Sequence, residues 1–584
     1  MLKAYTTLLP YIQKYRTNYV LGIISLMLTS AGQLVIPLMT RDAINIISTG
    51  DFRLSALYYP LGMMLFMAIM VAIGRLGWRF WLHGAARRIE AELRHSLFTK
   101  FTLLGDSFYR SSKIGDLMAR ATNDLHSIRM ASSMGLVAFF DGLFMTIAIL
   151  IILFQQNTRL TFLIIIPLPI VTALVLGLGK VVGKLFKQVQ EGFSTLSQQS
   201  QEVFSNIRLI KSFVLESYFV KRFGNANDVY QLRNLQLVQI WGLMFPIVGF
   251  LSGLTTVILL YAGGLEVIRG NLSPGEFVAT LSYLQMLIWP MLGAGFTVNL
   301  LQRGAASLTR INEIMSVENE FPAPVPTAPA PPPTNSLEFR EIATAYKTEK
   351  VLDNITFTIP AGAFVGIAGP TGSGKTTLIR LLLRLNEPTH GDILMDGKDI
   401  REYNPQSLRA LFGYVAQDGF LFSDTIANNI AFSLDNGTPD EKQKRVNSAI
   451  ELSALTKDLA QFPEGQNTQI GERGITVSGG QKQRISVARA LVMDPTILII
   501  DDGLSALDAK TEEEVLSNIL HLRKGKTTLM VSHRISALRH TDLNLVLEQG
   551  RISHIGTHEQ LIRTEGFYRD IYLIQQSEAE EAIR

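Results

Sequence analysis

The pattern of apolar and polar positions changes character a little past the middle of this chain. Up to about residue 320 it is dominated by apolar runs without a charge, at residues 19–40, 54–74, 160–179, 241–265 and 277–302. Each is long enough to cross a hydrocarbon core of about 30 Å as a helix. A further run, 134–154, is apolar apart from Asp141, and the short polar stretch Gln155-Gln156-Asn157-Thr158-Arg159 makes it the first arm of a tight hairpin with the next. The pattern therefore predicts six membrane-spanning helices. Between the second and third spans, and between the fourth and fifth, residues 85–104 and 188–204 lack proline and place apolar residues three and four apart. This predicts that the spans run on as helices beyond the bilayer, at about 1.5 Å per residue. Residues 108–117 and 207–213 carry the turn chemistry that reverses them. Seven of the twelve residues 322–333 are proline, which favours an extended spacer and excludes a helix or central strand. From residue 336 onward short apolar strands alternate with helices.

Composition agrees with a membrane protein: 47% hydrophobic residues against 18% charged is not the mixture of a soluble domain and excludes a disordered or fibrous chain. The net charge of +4 is small for 584 residues. Basic residues gather in the two long inter-span segments, from Arg75 to Arg129 and from Lys180 to Arg233, whereas the opposite loops hold only Arg41, Arg53, Arg159 and Arg269. That is the positive-inside pattern and not a nucleic-acid footprint, so no nucleic-acid partner is expected. It puts both termini and both long segments in the cytoplasm. Lys3, Lys14 and Arg16 precede a first apolar run too long for a signal peptide, so that run is expected to remain as an anchor. With no cysteine there is no disulfide, thiolate metal site or thiol nucleophile. A carboxylate at membrane depth is costly without a partner or water; Asp141 either serves a substrate or proton site or lies near the end of its span and reaches interfacial water. Pro167, Pro169, Pro246 and Pro290 are ordinary in membrane helices. Trp241, Met244, Phe245, Met286 and Trp289 suit an apolar cavity and equally suit lipid contact or helix packing.

The chemistry lies in the second part. Gly369-Pro370-Thr371-Gly372-Ser373-Gly374-Lys375-Thr376, with Thr377 next to it, fulfils the phosphate-loop pattern between a strand-like segment, 364–368, and an apolar helix, 378–385. The glycines let backbone N–H groups curl around phosphates at a helix N-terminus, Lys375 reaches the β and γ phosphates, and the Thr376 hydroxyl ligates magnesium. Residues 497–502 read as a buried parallel strand ending in two carboxylates, Asp501 to hold Mg2+ and Asp502 to act on the attacking water. ATP and Mg2+ are the ligands this implies.

At these residues the chain resembles the ATP-binding cassette (ABC) transporters, specifically exporters with six spans followed by one nucleotide-binding domain, and the resemblance covers nearly all of it. Val477-Ser478-Gly479-Gly480-Gln481 matches the family signature, which implies binding of the γ phosphate held by another subunit. The resemblance also implies that Tyr346 stacks on adenine, that Gln417 senses magnesium and water, that His533 contacts the γ phosphate, and that Asp508 ends the loop crossing the dimer interface. Gly471-Glu472-Arg473-Gly474 resembles the segment touching the intracellular loops, where short coupling helices are expected at 111–115 and 210–215. The fold expected is an all-α six-helix transmembrane domain at 1–320, a Pro-rich linker at 321–335, and an α/β P-loop nucleotide-binding domain at 336–584.

One departure bears on function. The family pattern after the magnesium aspartate is Glu-Ala-Thr-Ser, whereas this chain has Asp502-Gly503-Leu504-Ser505. Asp is one methylene shorter, and a displacement near 1 Å can cost on the order of 100-fold in rate. The resemblance then implies a degenerate ATP site in a heterodimer whose other, non-identical subunit carries the catalytic Glu, exporting an amphipathic drug-like or lipid-like compound from a bacterial plasma membrane. The retained His533 keeps a slow homodimer as an alternative to the heterodimer, and an ATP-gated channel or regulator, or an exporter-fold importer of a siderophore-like compound, are the alternatives to export.

Overall fold

The computed structural model describes residues 2–49, 53–319, 336–346, 349–434, 437–471 and 477–583. The Pro-rich linker and residues 472–474 thus lie outside the described residues. The chain forms two compact units, residues 1–102 with 112–318, and residues 103–111 with 319–584.

The first unit is helical throughout. Among the described residues, five helices are long and apolar enough to cross a membrane: Arg16–Ser48, Leu54–Leu103, Ile114–Gln156, Glu216–Ile268 and Pro274–Ser316. The remaining predicted span, 160–179, falls on helices Thr158–Ile165 and Pro167–Ser205, with several of its side chains outside those described. The 50 and 53 residues of Leu54–Leu103 and Glu216–Ile268 correspond to roughly 75–80 Å, more than twice a hydrocarbon core. The hairpin at 155–159 is tighter than its polar stretch suggests. Only Asn157 leaves the helical conformation, and its side chain accepts the Leu160 N–H at 3.0 Å, capping the next helix.

Asp141 finds a protein partner: its Oδ1 lies 2.6 Å from the Oγ of Ser30, a buried residue on the first long helix. This hydroxyl supplies a partner for the carboxylate from within the protein, a contact that neither sequence alternative named. Trp241 and Trp289 are 51% and 77% exposed on this chain, so neither is enclosed by the helices of its own unit.

Both short helices begin earlier than the coupling helices expected at 111–115 and 210–215, although the second lies within the predicted reversal 207–213. The first short helix is Asp106–Ser111, not 111–115, because Gly105 interrupts the preceding helix and Ser112-Lys113 form the exit. The second is Ile207–Ser212, not 210–215, and it starts where Asn206 breaks the helix before it, its amide bonding back to the Glu202 carbonyl at 2.9 Å.

In the second unit, β1 (Leu337–Tyr346) and β2 (Glu349–Ile359) pair antiparallel, followed by β3 (Phe364–Ala368), β4 (His390–Met395), β5 (Lys398–Asp399), β6 (Phe412–Val415), β7 (Asp424–Thr425), β8 (Gln469–Ile470), β9 (Ile497–Asp501), β10 (Thr527–Val531), β11 (Leu543–Glu548) and β12 (Arg551–Gly556). The main sheet runs β12-β11-β3-β10-β9-β6, parallel from β11 to β6, and a smaller antiparallel sheet runs β2-β1-β4-β5. Strands β3, β9 and β10 are buried along their whole length, which explains their predominantly apolar sequences. Ile367, Val531 and Asp501 stand in register across three neighbouring strands. The loops after β3, β10 and β9 therefore leave the same sheet edge side by side, where open parallel sheets place ligands.

Candidate functional site

The loop from β3 into helix Lys375–Leu382 is shaped by its glycines. Gly369 and Gly374 have φ of +151° and +101°. A Cβ on Gly369 would collide with the Leu547 carbonyl, and one on Gly374 would lie 2.6 Å from Leu352 Cδ2; neither position accepts a side chain. The loop curls over the helix N-terminus, whose first N–H groups have no partner within the helix. Lys375 Nζ donates to the carbonyls of Gly369 and Pro370, both at 2.8 Å. Burial pushes this ammonium below its usual range, opposed by Asp502 and Asp501. Among the described residues the buried Ser373 hydroxyl has no hydrogen-bond partner, an orphan in a cradle suited to an oxygen-rich anion.

A cavity of about 310 Å³ is lined by Val351, Thr371, Gly372, Gly374, Lys375, Thr376, Thr377, Gln417, Asp501, Asp502, Val531 and His533. All but Val351 and Val531 were expected from sequence. A larger cleft, of about 760 Å³, lies by Glu338, Arg340, Asp392 and Arg401, but these charges pair with one another and do not converge on its interior.

Asp501 is buried at the end of β9. Thr376 Oγ1 reaches its Oδ1 at 3.3 Å, and the Tyr414 hydroxyl its Oδ2 at 3.5 Å. Burial raises the Asp501 carboxyl above the usual range and the Asp502 charge adds to this, while the hydroxyls of Thr376 and Tyr414 and the charge of Arg380 oppose it. Burial also raises Asp502, opposed first by His533. Two raised, adjacent carboxyls mark a site short of positive charge. The donor set of hydroxyl, carboxylate and amide oxygen fits a hard cation such as magnesium, which binds one or two carboxylates and completes its shell with phosphate and water. Among the described residues no group of three or more His, Cys, Asp or Glu could hold a metal.

Asp502 leaves the strand with φ +51°. Its N–H donates to the Val531 carbonyl at 3.0 Å, and the charge and backbone N–H of His533 both favour the ionised form of its carboxyl. The backbone of Asp502 is thus tied to the end of β10.

The remaining predicted residues lie apart from this cavity. Ser478 caps helix Gly479–Leu491 through a reciprocal pair with Gln481, and Gln481 also bonds Asp458 at 3.2 Å. Gly480 leaves room against the Ala506 carbonyl, which a Cβ would approach to 3.3 Å. Asp508 caps helix Ala509–Leu522 by accepting the Thr511 N–H at 3.0 Å. Gln483 bonds both Ser505 Oγ and the Ala506 N–H, which ties the capped helix to the loop after β9. Tyr346 ends β1 opposite Glu349, and its side chain is outside the described residues. Sequence reasoning missed Tyr414; its place in β6, the strand just before Gln417, is the signal that could have found it.

Comparisons with known proteins agree with this geometry. Residues 19–291 match the model of the ABC transporter transmembrane region, and residues 352–505 that of the ABC transporter. The chain is 38% identical, over 97% of its length and 96% of the relative's, to the "Probable multidrug resistance ABC transporter ATP-binding/permease protein YheI" of Bacillus subtilis. It is 33% identical, over 97% of its length and 96% of the relative's, to the Escherichia coli "Multidrug resistance-like ATP-binding protein MdlA". It is 34% identical, over 84% of its length and 81% of the relative's, to the "ATP-dependent lipid A-core flippase" of Syntrophus aciditrophicus. Among solved structures, a bacterial Atm1-family ABC exporter with ATP bound superposes with a TM-score of 0.79 at 26% identity, covering 96% of this chain and 99% of that one.

Proposed function

Because the chain belongs to the ATP-binding cassette transporters, as an exporter with its membrane region and ATPase domain in one polypeptide, we propose that it is one half of a heterodimer exporting an amphipathic compound, drug-like or lipid-like, across a bacterial plasma membrane. The substrate class rests on the relatives named for multidrug resistance and for lipid A-core flipping. Both termini and the two long helical reversals face the cytoplasm, from the distribution of basic residues.

In this reading Lys375, Thr376 and the N–H groups of residues 369–377 hold the ATP phosphates, Tyr346 stacks on the base, and Asp502, Gln417 and His533 face the γ phosphate. Magnesium, held by Thr376, Asp501 and Gln417, would neutralise phosphate charge. Ser478, Gly479, Gly480 and Gln481, with Asp508, act on the nucleotide of the opposite subunit. That they do not line this chain's own cavity supports a site completed by a second subunit. Closure over two ATP molecules drives the outward opening. Shifting such an equilibrium from 1:99 to 99:1 takes roughly 5.5 kcal/mol of differential binding.

The observation that carries the asymmetric reading is Asp502, one methylene shorter than the family's glutamate and lining the phosphate-loop cavity with His533. This chain's own site then binds ATP and hydrolyses it slowly, while its signature segment completes a competent site on a partner that carries the glutamate. Asp502→Glu is expected to raise ATPase turnover of the purified complex severalfold or more. An unchanged or lower rate would count against a site limited by side-chain length.

A further inference from the structure

The loop after β10 carries His533 and has no regular structure of its own: after Val531 the chain passes through Ser532, His533 and Arg534 before the four-residue helix Ile535–Leu538 begins. That helix has no side-chain cap from its own first residues, so the N–H of Ile535 needs an external acceptor. The acceptor comes from the C-terminal helix Phe567–Ile583. Gln575 Oε1 accepts the Ile535 N–H at 2.9 Å, and the same amide's Nε2 donates to the His533 carbonyl at 2.8 Å. One side chain, 42 residues along the chain from His533, bridges the switch histidine and the start of the following helix.

The helix presenting Gln575 is firmly seated. Tyr568 is 2% exposed, its hydroxyl 2.9 Å from His558 Nδ1. Phe567, Ile571 and Tyr572 pack with it against the core beneath β9 and β10. Gln575 lies one turn beyond Ile571, on the same side of the helix. On its other side His533 lines the same cavity as Asp502. The His533 backbone is therefore anchored by an amide remote from the nucleotide, beside the carboxylate expected to face the attacking water.

We propose that Gln575 is a positioning residue for the γ-phosphate contact of His533, making the C-terminal helix part of the device by which this site tells ATP from ADP. The proposal rests on the reading of His533 given above. Without Gln575, the His533 carbonyl and the Ile535 N–H lose their partners, the loop gains freedom, and the imidazole meets the γ phosphate less often. ADP has no γ phosphate and should be unaffected.

The test is photolabelling of this chain with 8-azido-ATP in the full-length complex, competed by ATP and separately by ADP. His533→Ala is expected to lower the preference for ATP over ADP by about tenfold, the scale of one hydrogen bond to a charged group. Gln575→Leu should lower it by about three- to tenfold with ADP competition unchanged. The double variant His533→Ala/Gln575→Leu should match His533→Ala alone, because Gln575 acts only through the histidine. Losses that multiply in the double variant, or equal weakening of ATP and ADP by Gln575→Leu, would overturn the proposal in favour of general stabilisation. An unchanged preference in His533→Ala, with labelling intact, would instead overturn the γ-phosphate role of His533, and the proposal with it.

Discussion

Replacing Lys375 with alanine is expected to weaken ATP binding to this chain by roughly 10- to 100-fold, the effect of losing a charge-assisted bond to phosphate. The variant also removes the two bonds by which Nζ ties down the Gly369 and Pro370 carbonyls, so the cradle loses its shape along with its charge. Photolabelling resolved by subunit provides the check. Undiminished labelling of this chain would mean that the loop at 369–376 is not where its nucleotide sits.

The second large effect is on stability. Arg523 is 4% exposed, and its guanidinium donates to the carbonyls of Pro495, Thr496 and Thr527 and to the Thr528 hydroxyl at 2.7–3.0 Å. Burial lowers it to about 10, opposed by Asp494, so it stays charged at neutral pH. It joins the start of β10 to the residues leading into β9, the two strands whose far ends carry His533, Asp501 and Asp502. Arg523→Leu leaves three carbonyls and a hydroxyl without their donor and should cost about 3–5 kcal/mol. Thermal melting of the solubilised protein should show a drop of roughly 10 °C. A shift within a degree or two would show that the strands are held together by their apolar contacts alone.

Much of the fold was legible because its signals are local. The apolar runs marked the membrane helices, and the buried strands β3 and β9 announced themselves by unbroken aliphatic sequence next to glycines and carboxylates. The phosphate loop was equally plain, since its glycines are required by backbone geometry at Gly369 and Gly374. The illegible features depend on distant partners. Tyr414 meets Asp501 from 87 residues away, and Asp141 meets Ser30 from 111; no periodicity encodes either contact. The short helix Asp106–Ser111 was placed too late because Ser111, Ser112, Lys113 and Gly115 offer turn chemistry as good as that of Gly105, and six residues are too few for a helical period to decide.

The asymmetric pairing is the centre of this account, and the native mass of the complex tests it most directly. The protein would be recovered from its source membrane through a tag on this chain, with each polypeptide identified. The account predicts a second, different subunit of similar size, with a glutamate in the position that corresponds to Asp502. A particle of twice 64.8 kDa containing this chain alone would contradict it, because two copies of Asp502 would then have to serve both ATP sites.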